Sequence, residues 1–233
     1  MEDPEKLAPA APPVKGPGGN RCGAPCGETR DDACSPPGRD GSAGKEGGGV
    51  PHIETLGPEE ATGLLAEVYT EIGASRGRIA EVHRLQSLDP DSLAHHMALY
   101  RSVVFGRSDL SRVRREMLGV VVSAANGCAY CVAHHVEALN HFWKDPGRCR
   151  ELAGDFRRLS LDPLDLDLCL LAEQLTKTPG DQADRIRSLR TRGLSDRGIL
   201  DAVQVVAYFN FVNRLVLALG CGLEADPGGY RYD

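Results

Sequence analysis

Aromatic residues are scarce in this 233-residue chain, at 5% with a single Trp. Surfaces that stack nucleic-acid bases need more of them. An excess of positive charge is also missing: 27 Lys and Arg face 33 Asp and Glu, for a net charge of −6. Such a chain is no electrostatic trap for nucleic acid. An unbroken apolar run of about twenty residues does not occur, so no membrane span is expected. The opening Met-Glu-Asp-Pro-Glu-Lys has neither a basic n-region nor an apolar h-region. Secretion is therefore not expected and a cytoplasmic location is. Strand alternation and hairpin signals are absent, which leaves an all-α reading.

What the chain does have is cysteine, eight in all. With no export signal and a CxxC pair among them, a cytosolic redox or metal role is preferred over a disulfide framework. Residues 1–50 are rich in Pro and Gly and nearly free of large apolar side chains. They cannot offset the entropy of ordering and are expected to be disordered. Cys22, Cys26 and Cys34 lie there; His52 is the nearest fourth ligand for a zinc clasp, and incidental thiols are the plainer reading. Residues 51–233 form one helical domain. A first helix is expected to open at Gly57-Pro58-Glu59-Glu60, with Leu64, Leu65, Val68, Tyr69 and Ile72 as its stripe. Asp89-Pro90 opens another helix. Ser108-Asp109 is expected to cap a helix from Leu110 to Ala125, and a further helix runs from Cys128 to about Phe142. Ser195 caps a long last helix. Leu110-Ser111, Val121-Val122 and Asn126 are echoed by Leu194-Ser195, Val205-Val206 and Asn210, a faint sign of a helical repeat.

The chemistry concentrates in one stretch: Glu116, eleven residues, Cys128-Ala-Tyr-Cys131, three residues, His135. Positions three and four apart share a helical face, so both thiols and the imidazole line up. Two thiols at this spacing can close a disulfide when the first sits in the loose N-terminal turn. His135 can take a thiol proton, and an imidazolium favours the thiolate of Cys131. Cys128 has the helix N-terminus instead. The histidine is expected to win, making Cys131 the attacking thiol and Cys128 the more exposed partner. Glu116 reads as partly buried, with a raised pKa suited to passing a proton. Arg112, four residues earlier, is a candidate partner for it. His134 points about 100° away from His135 and reads as packing or surface. Asn213 and Arg214 are candidates for lining the pocket, or equally for capping and inter-helix roles. Zinc held by Cys128, Cys131, His135 and a forced Cys149 is a competing reading, as is an inert buried thiol pair.

These four residues fit the thiol motif Glu-x11-Cys-x2-Cys-x3-His of the alkylhydroperoxidase D-like and carboxymuconolactone decarboxylase superfamily at every spacing. The chain resembles its peroxidase-related branch over roughly residues 52–223, including Tyr208-Phe209-Asn210-Phe211-Val212-Asn213-Arg214. Tyr130 stands where alkylhydroperoxidase D has histidine, which shortens the relay and gives Tyr130 a possible supporting role. The decarboxylase members lack the CxxC. The resemblance implies an all-α alkylhydroperoxidase D-like domain with Glu116, Cys128, Cys131 and His135 catalytic, and no cofactor or metal. It further implies a peroxide substrate, a dithiol reductant (a thioredoxin-like or lipoyl protein) and a homo-oligomer. A redox-responsive module without turnover, or a structural zinc domain, are the alternatives.

Overall fold

The structure, a computed structural model, describes residues 49–232. The expected disordered segment, with Cys22, Cys26 and Cys34, lies outside the described residues but for its last two positions. Among the described residues the elements are α1 (Gly63–Arg76), α2 (Glu81–Arg84), α3 (Pro90–Tyr100), a π turn (Arg101–Phe105), α4 (Arg112–Ala125) and α5 (Ala129–Trp143). They continue with α6 (Pro146–Asp155), a 3-10 turn (Phe156–Arg158), α7 (Pro163–Lys177), α8 (Ala183–Thr191) and α9 (Asp196–Leu219). No strand occurs among them, as the missing alternation predicts.

Local chemistry explains most of the helix starts. Asp-Pro opens three helices, with Asp89, Asp145 and Asp162 accepting from the backbone N–H of Ser92 (3.1 Å), Arg148 (3.0 Å) and Leu164 (2.9 Å). The proline needs no N–H partner at the first helical position. Ser111 and Ser195 are the N-caps of α4 and α9, so the faint echo falls on equivalent places. Asn126, at the end of α4, also donates to Asn210, inside α9, at 3.0 Å.

Two expected starts are corrected. Gly57–Glu60 is a turn rather than a helix: the Glu60 carboxylate folds back onto the Gly57 N–H at 2.8 Å. The first helix begins at Gly63, and Leu64 is 42% exposed, outside the buried stripe of Leu65, Val68, Tyr69 and Ile72. Ser108 does not cap α4. Its hydroxyl accepts from Leu110 N–H at 2.9 Å and pairs with Asp201 on α9.

Helix α4 is the axis of the domain. Every residue from Arg115 to Ser123 is buried, with α5, α6, α7 and α9 packed around it. Such an all-round buried helix is the core of its bundle. Arg115 is buried among apolar side chains, but its guanidinium donates to the Leu110 carbonyl at 2.9 Å and the Val104 carbonyl at 2.8 Å. It thereby satisfies backbone groups around the π turn. Helix α9 is long and apolar enough by composition to cross a membrane; here Val205, Val206 and Phe209 bury it in the core. A smaller apolar cluster joins α1 to α3 through Leu65, Ile72, Leu93 and Met97.

Candidate active site

The thiols sit where α4 turns into α5. Gly127, at φ +69°, makes the left-handed turn that other residues resist. Cys128 follows as the N-cap of α5 and Cys131 lies one turn on. All five cysteines among the described residues are free thiols. Cys128 is 0% and Cys131 3% exposed, so the expectation of an exposed Cys128 is corrected. The two sulfurs are hydrogen-bonded to each other. A hydrogen bond from the Cys131 thiol, opposed by burial and helped by the Cys131 backbone N–H, lowers the Cys128 thiol below its ordinary value. The same hydrogen bond, then burial and the charge on Cys128, raise the Cys131 thiol. This reverses the acidity order expected from His135. Asn213 also hydrogen-bonds Cys131. It is fully buried and is held by Asn126 at 2.9 Å and Ser123 at 3.3 Å. Arg214 turns outward, onto Asn210.

Behind the thiols, α4 presents Glu116, 1% exposed. One oxygen meets His135 Nδ1 at 2.7 Å; the other accepts from Arg112 Nε at 3.0 Å. Burial alone pushes this carboxyl upward. The hydrogen bond and charge of His135, with the Arg112 guanidinium, outweigh burial and hold it down at about 2. The expected raised pKa is thus corrected: desolvation was read from the sequence, and two close partners reverse its sign. An ionised carboxylate only accepts hydrogen bonds. His135 therefore donates to it from Nδ1. Gly119, one turn along α4, makes the approach possible. A Cβ there would lie 2.9 Å from the Phe209 ring and 3.2 Å from His135 Cγ.

A second pair lies beside the first. His134 Nε2 meets Glu224 at 2.9 Å, and the other Glu224 oxygen accepts from Tyr130 Oη at 3.0 Å and Glu81 N–H at 2.9 Å. Burial raises the Glu224 carboxyl, but the His134 hydrogen bond and the backbone N–H groups bring it down to about 2. Glu224 arrives on the segment after α9, which also brings Tyr230 and Tyr232. Arg78 donates to the Asp226 carbonyl at 3.0 Å, and Arg231 N–H reaches the Arg76 carbonyl at 3.0 Å, tying that segment to α1 and the loop after it.

These elements enclose a cavity of about 90 Å³ whose wall includes Cys131, Glu116, His135, His134 and Tyr130 but not Cys128. The remaining wall is largely aromatic, with Tyr100, Tyr208, Phe209, Tyr230 and Tyr232. His83 and His96 also line it; burial first of all holds them neutral, down at about 3 and about 4. Among the described residues no three His, Cys, Asp or Glu side chains converge as a metal-ligand set. Of the four motif residues singled out in the sequence, Glu116, Cys131 and His135 share this wall and Cys128 lies outside it. Sequence reasoning missed His134 as a pocket residue, along with Glu224, Tyr230, Tyr232 and Arg76, which only the tertiary fold brings there.

Comparison with known proteins bears on the fold. Residues 90–154 match the model of the carboxymuconolactone decarboxylase family. An alkyl hydroperoxide reductase of Mycobacterium tuberculosis is 33% identical over 90 residues, 39% of this chain and 26% of that protein. The chain thus spans about a quarter of that curated relative. A peroxidase-related protein from Silicibacter sp. TM1040 superposes with a TM-score of 0.66 at 26% identity, over 78% of this chain and 93% of that one. The alkylhydroperoxidase D core of a protein from Ralstonia eutropha JMP134 gives 0.70 at 21% identity, over 76% and 94%. Residues 90–154 thus resemble that family in sequence, and the chain has the all-α fold of these peroxidase-related proteins. The debrominase Bmp8 shares the fold, with a TM-score of 0.63 at 16% identity over 74% and 92% of the two chains, so one scaffold carries more than one chemistry.

Proposed function

We propose that the protein is a thiol-dependent peroxidase that reduces hydrogen peroxide or an alkyl hydroperoxide through a dithiol–disulfide cycle. The observation that carries this reading is the shared wall of Cys131, His135 and Glu116 around one cavity. Cys131 attacks, because it and not Cys128 faces the substrate space. Its proton passes to His135 Nε2, and the thiolate takes the outer peroxide oxygen to become a sulfenic acid. Protonated His135, oriented by ionised Glu116, returns a proton to the leaving alkoxide. Cys128 is the acidified thiol of the pair and so supplies the thiolate for the second step. It attacks the Cys131 sulfur, the disulfide forms and water leaves. In sum, one hydroperoxide and two thiols give one alcohol, one water and one disulfide. A dithiol partner of thioredoxin-like or lipoyl type resets the pair. Function as a homo-oligomer in the cytoplasm is part of the same proposal.

Intact mass before and after one equivalent of peroxide tests it. The wild type is expected to lose two protons. Cys128→Ser is expected to hold one added oxygen at Cys131, and Cys131→Ser to stay unchanged. Oxygen added to Cys128 in Cys131→Ser would reverse the two roles. An unreactive wild type would end the peroxidase reading.

A further inference from the structure

One end of the cavity is not explained by the thiol chemistry. Arg76, at the end of α1, lines the cavity and is 8% exposed. Its guanidinium lies over three rings, 4.9 Å from the Phe105 centroid, 5.2 Å from Tyr100 and 5.8 Å from Tyr230. One of its five N–H donors goes to the Arg231 carbonyl. Among the described residues no carboxylate pairs with it. The two acids of the site are already engaged, Glu116 by Arg112 and His135, Glu224 by His134, Tyr130 and Glu81 N–H. A buried charge without a counter-charge is costly, and proteins keep one where something else supplies the partner.

A second observation points the same way. The hydroxyls of Tyr230 and Tyr232, both residues of the cavity wall, are buried and have no hydrogen-bond partner among the described residues. Buried polar groups are nearly always satisfied, so orphaned hydroxyls at a cavity mark groups that a ligand completes. An unpaired cation beside two idle donors recognises an anion with lone pairs to spare. The aromatic walls favour a flat or apolar body behind it.

We propose that this end of the cavity receives a carboxylate, and that the substrate is a small organic hydroperoxide carrying an acid group. The carboxylate rests on Arg76 and takes the hydroxyls of Tyr230 and Tyr232, while the O–O bond is presented to Cys131. The overall reaction keeps the acid intact: hydroperoxy acid plus two thiols gives hydroxy acid, water and the disulfide. This rests on the peroxidase reading for the reaction, but not for the binding of the acid.

The test therefore has a binding arm and a turnover arm, both on the full reduced chain. In calorimetric titration, benzoate is expected to bind and benzamide not. Arg76→Met is expected to weaken benzoate by at least about tenfold. Tyr230→Phe and Tyr232→Phe are each expected to weaken it severalfold while the melting temperature of the unliganded protein holds or rises, since an unpaired hydroxyl contributes nothing to the fold. In turnover, 6-hydroperoxyhexanoate is expected to exceed its methyl ester in kcat/KM, and Arg76→Met to close that gap. Benzoate and benzamide binding alike would overturn the proposal. So would benzoate binding that is indifferent to Arg76→Met or, should that variant not fold, to both Tyr→Phe changes. A protein that turns over no peroxide yet binds benzoate through Arg76 would refute the peroxidase reading and keep the subsite.

Discussion

Two adjacent histidines on α5 each hold a carboxylate, and the two pairs differ in kind. His135 meets Glu116, which comes from the central helix, is buried throughout and is also gripped by Arg112. His134 meets Glu224, which comes from the segment after α9 and is gripped by Tyr130 and a backbone N–H. Both carboxyls are held at about 2. Equal acidity thus arises from unequal environments. The inner pair is built from two rigid helices beside the thiols. The outer pair fastens a connecting segment over the cavity. On the proposed reaction, the difference separates a group that works on the chemistry from one that shapes the space around it.

The comparison breaks most sharply at Glu116. Glu116→Gln removes the charge that orients His135, and the rate of thiol reaction with peroxide at neutral pH is expected to fall about 10²-fold. Stopped-flow measurement against pH checks it; an unchanged profile would leave a simple cysteine pair as the reactive unit. Stability should respond too. The unfolded Glu116 side chain titrates near 4.5 and the folded one at about 2. On acidification the unfolded chain therefore takes the proton first. The stabilisation is complete above the unfolded value and is lost as pH falls towards the folded one. Melting temperatures should drop over that window in the wild type and drop less steeply in Glu116→Gln.

Glu224→Gln is expected to act the other way round. One oxygen remains to accept from Tyr130 and Glu81, so the peroxide rate should stay within about threefold, under 1 kcal/mol of barrier. Stability should fall by about 1–2 kcal/mol as the charge-assisted bond to His134 is lost. Equal slowing in the two variants would erase the distinction and make the outer pair part of the relay. The smallest effect is expected from Tyr130→Phe. It removes a bond to Glu224 and the acceptor for Val82 N–H at 3.2 Å, for about 1 kcal/mol of stability, read by denaturant titration. A much larger loss of peroxide rate would give Tyr130 a proton-transfer role of its own.

What the sequence disclosed follows the same division. The inner site was legible because Glu116 to His135 is one continuous stretch, and helical spacing alone fixes which side chains share a face. The Asp-Pro and serine caps were legible at Asp89 and Ser195 because capping is local. The first turn at Gly57–Glu60 misled because a glutamate that can cap a helix can also close an isolated turn. His134 was placed at its correct angle on α5, but an angle does not say what comes to meet it. Arg76, Glu224, Tyr230 and Tyr232 reach the cavity from elements far away in the chain, and no periodicity connects them. The acidity of the thiols was misjudged for a related reason. Which sulfur keeps the proton depends on their mutual hydrogen bond, a matter of side-chain orientation rather than spacing.

Gly119 extends the motif by something that is not a side chain. Glu116 and Gly119 lie three apart on one face of α4, so a charge and a gap succeed each other opposite His135. The imidazole and the Phe209 ring occupy the space where a methyl group would stand. Spelled out in full, the proposed site is four side chains and one hole. A related chain that kept Glu116, both cysteines and His135 but carried alanine at position 119 would match the motif letter for letter. It would still have to displace the Phe209 ring of α9, and to a lesser extent His135 of α5, to accommodate that methyl. The omission at Gly119 thus sets how closely the Phe209 ring of α9 and the His135 ring of α5 approach α4.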